Sequence, residues 1–365
     1  RSFVHAQTAA YTEIVQINAA DFPQISAFVD VYDADGEFIP NLKPADITVY
    51  EDGQERRANS VRESEVPVQV VVAVNPGPPL AIRDADGIAR FERVVEALRL
   101  WGEAQPDDSR DDLSLVSLSG SLINHADVKD WFVSLNSFKP DFRNSTSNLQ
   151  TLSIALDTVN APTPEPGMKR AVLFITPRMD DPNIDNTIAP LIQRAVDSKV
   201  RVFVWFIDAE EFNVSPSANA FKLLAQQTGG DFFSFSRTET FPDLDTYFAS
   251  MRFIYEVKYT SALTASGEHA LRFDFTAQDT TITGADKTFS VDVQPPNPIF
   301  VSPPLMVKSA LHSGLSSGGL PSPPSSKLGW HRWGNSPAPA PPSCSCGTPR
   351  ACNWRCNCRP TTPTC

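Results

Sequence analysis

The sequence predicts an α/β fold, a doubly wound and mostly parallel sheet flanked by antiparallel β segments, on three observations. Val68–Val74 (VQVVVAV), Ala171–Thr176 (AVLFIT) and Val200–Asp208 (VRVFVWFID) are near-continuous apolar runs, as expected of strands buried on both faces. Stretches with apolar residues at helical spacing separate them, and alternating β and α units of this length put helices on both faces of a parallel sheet. Before and after this region the apolar period drops to two, the mark of half-buried antiparallel strands.

The elements follow in order. From Tyr11 to Ser64 short strands are expected at YTEIVQIN, ISAFVDVYD and ITVYED, with turns at Ala34-Asp35-Gly36 and Asp52-Gly53. Ile25, Ala27, Val29 and Val31 alternate with Ser26, Phe28, Asp30 and Tyr32, and Asp-Gly pairs favour hairpins. Residues 11–65 therefore read as a small antiparallel β domain. Within an α/β domain over 66–255, Ile88, Phe91, Val94, Val95, Leu98 and Trp101 share one helical face. Then come the strand LSLVSL, a helix from about Asn148 to Val159, AVLFIT, a helix from about Thr187 to Asp197, VRVFVWFID, and a helix over Ala218 to Gln227. Gly229-Gly230 supplies the left-handed stop for that helix. The strand DFFSF and a last helix from Phe241 through Ile254 close the domain. A C-terminal β segment over 256–296 carries YEVKYTS, ALRFDFTAQ, a turn at Thr283-Gly284 and TFSVDVQ. The two β segments are compatible with one sandwich into which the α/β domain is inserted, and equally with two separate β domains.

Charge and cysteine divide the chain. A length of 365 residues suggests two or three domains, and 41% hydrophobic content is enough for packed cores. A net charge of −12 excludes the basic stripe that a nucleic-acid partner wants. Every cysteine (Cys344, Cys346, Cys352, Cys356, Cys358 and Cys365) falls near the C-terminus, and residues 301–365 contain no Asp or Glu although the chain has 43. No apolar run is long enough to span a membrane as a helix. Val4-His5-Ala6 before Gln7 has the small-residue spacing of a signal-peptidase site, so residues 1–10 are expected to be the remnant of an export signal.

The order of elements, with Leu223-Leu224-Ala225-Gln226-Gln227-Thr228-Gly229-Gly230-Asp231-Phe232-Phe233 and Phe253-Ile254-Tyr255-Glu256-Val257-Lys258-Tyr259, resembles the von Willebrand factor type A domain of secreted bacterial proteins. The stretch from Val29 to Gly36 and on through Leu42, Asp46 and Val49 to Gly53 is similar to the β segment that leads into that domain in the same group. The resemblance covers roughly residues 25–260. It implies a metal-ion-dependent adhesion site, in which an Asp-x-Ser-x-Ser loop, a Thr and a further Asp hold Mg²⁺ whose open position takes an acidic group from a partner. The matching positions here are Asn75, Gly77 and Pro79, then Thr146, then Pro177. A hard divalent cation wants about six oxygen ligands, usually with carboxylates among them. Thr146 keeps its ligand, Asn75 offers a neutral carbonyl, and Gly77, Pro79 and Pro177 offer no side-chain oxygen. The site is therefore expected to be degenerate, with no metal and no cofactor. A rebuilt site using Asp180, Asp181 and Asp185 is the alternative.

Other constellations are weaker. Asp33, Asp35 and Glu37 around Gly36 resemble part of a calcium loop without its full ligand series, and read better as a hairpin turn. The histidines, His5, His125, His269, His312 and His331, are far apart in sequence. No nucleophile elbow, phosphate loop or dinucleotide fingerprint is present. Residues 297–365 are rich in Ser and Pro, and their cysteines fit a small disulfide module or, less well, a zinc site. The loss of acidic residues and of periodicity fits better a coding frame shifted after about Pro304, giving a disordered stretch. The expected protein is not an enzyme. It is an exported, extracellular or cell-surface module that binds a protein partner or cell-envelope component through loop-rim residues such as Pro78, Asn144 and Arg178. No nucleic acid or small-molecule substrate is evident. A metal-dependent adhesin and a structural or assembly module of the cell envelope are the rivals.

Overall fold

The computed structural model describes residues 10–161, 165, 167–277 and 280–293. The expectations for the export-signal remnant, apart from Ala10, and for the cysteine-bearing tail lie outside the described residues.

Four strands open the chain: β1 (Tyr11–Asn18), β2 (Gln24–Tyr32), β3 (Ile47–Glu51) and β4 (Gln54–Glu65). The α/β region follows as β5 (Val68–Val74), α1 (Arg90–Ala104), β6 (Asp112–Ser117), β7 (Gly120–Ala126), α2 (Val128–Ser137), α3 (Gln150–Val159) and β8 (Lys169–Thr176). It continues through α4 (Ile184–Asp197), β9 (Val200–Ile207), α5 (Pro216–Thr228), β10 (Phe232–Phe235) and α6 (Leu244–Phe248). The chain then returns to strands: β11 (Phe253–Thr260), β12 (Gly267–Ala277), β13 (Thr280–Thr283) and β14 (Lys287–Val291).

The first and last groups of strands make one antiparallel sheet in the order β1-β2-β11-β4-β3-β12-β13, with β14 also on β12. Tyr255 of β11 pairs with Val29 of β2 on one side and with Glu63 of β4 on the other. A strand that follows the α/β domain thus sits between two that precede it, and the α/β domain is an insertion in a single β structure. The inward side chains are those the alternation names: Ile25, Ala27, Val29 and Val31 are all but inaccessible, facing Tyr255, Val257, Leu271 and Phe273. β4 is a strand the sequence hides, because none of its residues is buried. Its first residues pair with β3 and the rest with β11.

The second sheet has the order β10-β9-β8-β5-β6-β7, parallel except for the β6–β7 hairpin. All of β5 is buried, its alternate residues feeding two cores. Val70, Val72 and Val74 pack with Phe91, Leu98, Trp101 and Trp131 on one face, and Val71 and Ala73 pack with Leu152, Ile188 and Phe221 on the other. Fully burying side chains of this size stabilises the fold by about 1.5–3 kcal/mol each. α2 and β7, absent from the sequence reading, complete the first face; Asp127 caps α2 by accepting from the Asp130 N–H at 2.9 Å. The helix expected from Phe241 to Ile254 is much shorter. Asp243 caps α6, the helix ends at Phe248, and the alternation Tyr255, Val257, Tyr259 makes the following residues a strand. The Gly229-Gly230 stop is real for two reasons. Gly229 takes φ 72° as the left-handed cap, and a Cβ on Gly230 would lie 2.1 Å from the Val202 carbonyl oxygen.

The amino ends of the parallel strands meet the antiparallel structure. Lys169, the first residue of β8, places Nζ 2.6 Å from Asp30 of β2. Arg201 at the start of β9 lies over the Tyr32 ring and donates to the Gly36 carbonyl at 3.3 Å. The carboxyl ends of β5, β8 and β9 consequently face away from the β structure. β5 lies between β6 and β8, so the chain winds outward from it in both directions, and the loops at its carboxyl end form the crevice where open α/β sheets carry their sites.

One contact gives the fold a pH dependence. His269 of β12 donates from Nδ1 to Asp52 at 2.7 Å and from Nε2 to the Ala265 carbonyl at 3.1 Å. Both partners are acceptors, so the ring satisfies both only as the imidazolium, with a proton on each nitrogen. The hydrogen bond to Asp52 raises the His269 pKa above its ordinary 6.5. The Ala270 N–H and then His269 lower that of Asp52. A raised folded-state pKa stabilises fully below the ordinary imidazole value and is lost as pH rises through the folded value. Between those limits stability to urea should fall as pH rises from 6.5, and the His269→Gln variant should lose that slope. An unchanged slope would rule the contact out.

Candidate functional site

Asn75 holds the crevice together. Its side chain is fully buried at the end of β5. Nδ2 donates to Thr176 Oγ1 at 2.9 Å, while Oδ1 accepts from the Asn148 N–H at 3.3 Å and from Thr151 Oγ1 at 3.4 Å. The Asn75 N–H donates to the Ile175 carbonyl at 2.9 Å. One amide therefore ties together the loop after β5, the loop entering α3 and the end of β8. The direction of these bonds is fixed by the partners: a backbone N–H can only donate, and Thr176 Oγ1 already donates to the Pro177 carbonyl at 2.9 Å. A neutral amide satisfies both, whereas an ionised carboxylate only accepts.

The space that a side chain at position 77 would enter is occupied. A Cβ on Gly77 would lie 2.2 Å from Ser147 Oγ and 2.9 Å from Pro177 Cγ, so the glycine, the serine and the buried proline close on one another. Ser147 Oγ donates to the Pro76 carbonyl at 3.1 Å. Pro79 sits in a short 3-10 turn, Pro78–Ala81. Thr146, the one ligand position retained in the sequence, is exposed; the hydroxyls that reach Asn75 belong to Thr151 and Thr176. Measured against the needs of a divalent cation, these residues do not fit, since they supply no carboxylate and their side chains fill the space. The alternative aspartates do not converge. Asp180 is exposed near Arg178, Asp181 accepts from the Asn183 N–H and from Thr187 Oγ1, and Asp185 is exposed in the first turn of α4. Among the described residues no group of three or more His, Cys, Asp or Glu side chains is placed to hold a metal.

The rest of the rim is braced by Asp208, a residue the sequence reading passed over because it ends an apolar run. Its carboxylate is nearly inaccessible and accepts from the Arg178 N–H at 3.0 Å and the Ala209 N–H at 2.8 Å. The Arg178 guanidinium lies 3.8 Å above the Phe212 ring. Asn144 is exposed and donates twice to Asp141, and Pro78 is exposed beside Gly77. Pro78, Asn144 and Arg178 thus all belong to loops at the carboxyl ends of the parallel strands. Asp33 accepts from the N–H groups of Asp35 and Glu37 at 2.9 Å, a turn rather than a ligand array. Asp84-Ala85-Asp86-Gly87 repeats this sequence and this bonding in the rim.

Solved structures similar to this chain include an aerotolerance-related membrane protein from Bacteroides fragilis bearing multiple mutations to serine. It has 14% identity and TM-score 0.34, over 46% of this chain and 91% of that one. The SpRpn10 VWA domain is similar at 12% identity and TM-score 0.37, over 48% of this chain and 91% of that one. The N-terminal domain of TFIIH p34 is similar at 12% identity and TM-score 0.34, over 51% of this chain and 97% of that one. No protein-family model and no curated protein matches the chain.

Proposed function

We propose that this chain is a protein-recognition module of the von Willebrand type A kind, acting at an extracellular or cell surface through its loop rim and without a metal ion. The observation that carries the reading is the Asn75 knot. It braces three rim loops with neutral hydrogen bonds, so holding the loops in one arrangement requires no cation. Rigid loops on a packed scaffold are the usual seat of recognition. The rim points away from the β structure, which leaves it open to a partner. The reading is one of binding, not catalysis.

Peptides selected on the full chain from a random dodecapeptide display library test this. Asn144→Arg and Pro78→Asp should each weaken the selected peptides while changing stability by no more than ~0.5 kcal/mol, as loop-tip substitutions do. Arg178→Gln should weaken them at a larger cost in stability, because the guanidinium packs on Phe212 beside Asp208. Lys258→Glu on exposed β11 surface should have no effect on binding. If Lys258→Glu abolishes binding and the rim variants leave it intact, the β structure makes the contacts and the assembly-module reading replaces this one.

A further inference from the structure

A cavity of about 1040 Å³ lies between α1 and the stretch that leaves β10 for α6, reached from two of the rim loops. Its lining includes Ile82 and Leu100, which are 49% and 56% exposed, together with Ala97, Trp101 and Phe241. Apolar side chains left open along a groove are a mark of an interaction surface.

The charges around it are unevenly satisfied. Asp84 and Asp86 are both held by Arg93, at 2.7 and 3.1 Å, and Glu96 by Arg99. Asp243 caps α6, and Asp245 accepts from Trp101 Nε1 at 2.9 Å. Glu239 accepts from the N–H groups of Ser236 and Arg237 and from Ser236 Oγ. Burial opposes the Glu239 charge, but these donors prevail and hold its pKa at about 2. Two guanidiniums have no such partner. Arg90 is 5% exposed, yet it bonds only to carbonyl oxygens, from Nε to Ser236 at 2.9 Å and from Nη1 to Pro79 at 3.4 Å. Arg237 is exposed, and its guanidinium has no ion-pair partner among the described residues. Burial lowers the Arg90 pKa; the Asp208 carboxylate opposes that lowering, Arg237 adds to it, and Glu239 opposes it more weakly. The carboxylates of Asp208 and Glu239 lie near Arg90, but none is in contact with either guanidinium among the described residues, and a guanidinium fork matches a carboxylate in geometry and charge.

We propose that this groove receives an extended segment of a partner protein, whose carboxylate is held by Arg90 and Arg237 and whose neighbouring apolar side chains cover Ile82, Leu100 and Trp101. The proposal rests on the rim-recognition reading and gives its partner a chemistry. Arg90 also braces the loops after β5 and β10 by bridging Pro79 and Ser236, so its removal threatens the fold. The exposed Arg237 is therefore the residue to change.

The same dodecapeptide library selected on the full chain should enrich Asp or Glu flanked by apolar residues. Fluorescence anisotropy with the synthesised peptides should show Arg237→Glu weakening binding about tenfold or more, within the range of a hydrogen bond to a charged group. Replacing the peptide's acidic residue by its amide should cost as much, and a peptide with Lys at that position should regain affinity for Arg237→Glu. Peptides weakened by the Arg178 or Asn144 variants but indifferent to Arg237→Glu would overturn the groove and leave rim recognition standing. Indifference to all three would overturn both. Binding of decanoate at the groove, with no peptide dependent on Arg237, would also overturn the proposed occupant.

Discussion

Replacing Lys169 by alanine should lower the unfolding free energy by about 3–5 kcal/mol, the usual cost of breaking one side of a buried ion pair. Lys169 and Asp30 have side-chain exposures of only 12% and 9%, and their charged atoms lie 2.6 Å apart where β8 meets β2. Lys169 also donates to the Phe253 carbonyl at 3.1 Å. Burial raises the Asp30 pKa and lowers that of Lys169 even though each attracts the other. Desolvation thus outweighs their mutual attraction, and the pair is weak as a source of net stability. What it does strongly is penalise the loss of one member. In Lys169→Ala the Asp30 carboxylate is left buried with only the weaker influence of Arg201 to offset its charge. Its folded-state pKa rises further, so the deficit should shrink as pH falls toward the ordinary carboxylate value of 3.8. The double variant Asp30→Leu/Lys169→Met replaces both charges by apolar groups and should recover most of the loss. Urea titrations of the wild type and the two variants at pH 7 and pH 4 decide it. A single-variant cost below about 1 kcal/mol, or a double variant no better than the single, would show that the pair is hydrated in solution.

The particular elements explain how far the sequence could be read. β5, β8 and β9 are legible because a strand covered on both faces must be apolar throughout, and few other arrangements tolerate VQVVVAV. β4 is illegible for the opposite reason: twelve residues with no buried member hold their place through backbone pairing and through cross-strand contacts such as Arg56 with Glu51. The position of β11 between β2 and β4 decides between one β structure and two. Composition is silent on it, since register depends on partners 188 or more residues away in the chain. The site divides the same way. Family positions put Asn75, Gly77 and Pro177 side by side, and the structure does bring them together. Thr151 and Asn148 complete the knot from a helix start and a loop with no motif to mark them. Arg90 looks in sequence like any surface charge on an amphipathic helix, and only its burial against two carbonyls distinguishes it.

Placing a carboxylate at position 75, by Asn75→Asp, should destabilise the protein by about 3 kcal/mol, and Mg²⁺ should not rescue it. The aspartate can still accept from the Asn148 N–H and Thr151 Oγ1. It cannot donate to Thr176 Oγ1, which already gives its own proton to the Pro177 carbonyl. One buried group therefore loses its partner, costing about 1–3 kcal/mol, and more where a charge is involved. At a fully inaccessible position the new carboxyl would be pushed toward its neutral form, so part of the deficit should vanish in acid. A cation would offset that cost only if it had room. Ser147 and Pro177 crowd Gly77, two residues along the same loop, so tightly that a Cβ there has no room. A site with a Kd one-hundredth of the added Mg²⁺ would return about 2.7 kcal/mol, enough to restore most of the lost melting temperature. Differential scanning calorimetry of the wild type and the Asn75→Asp variant, each with and without 10 mM (about a hundredfold excess over a 0.1 mM Kd) Mg²⁺, separates the possibilities. No shift in either protein fits a rim braced by neutral hydrogen bonds. Recovery in the variant would mean that the crowded loops open to admit an ion, and the metal-dependent reading would then displace the metal-free one.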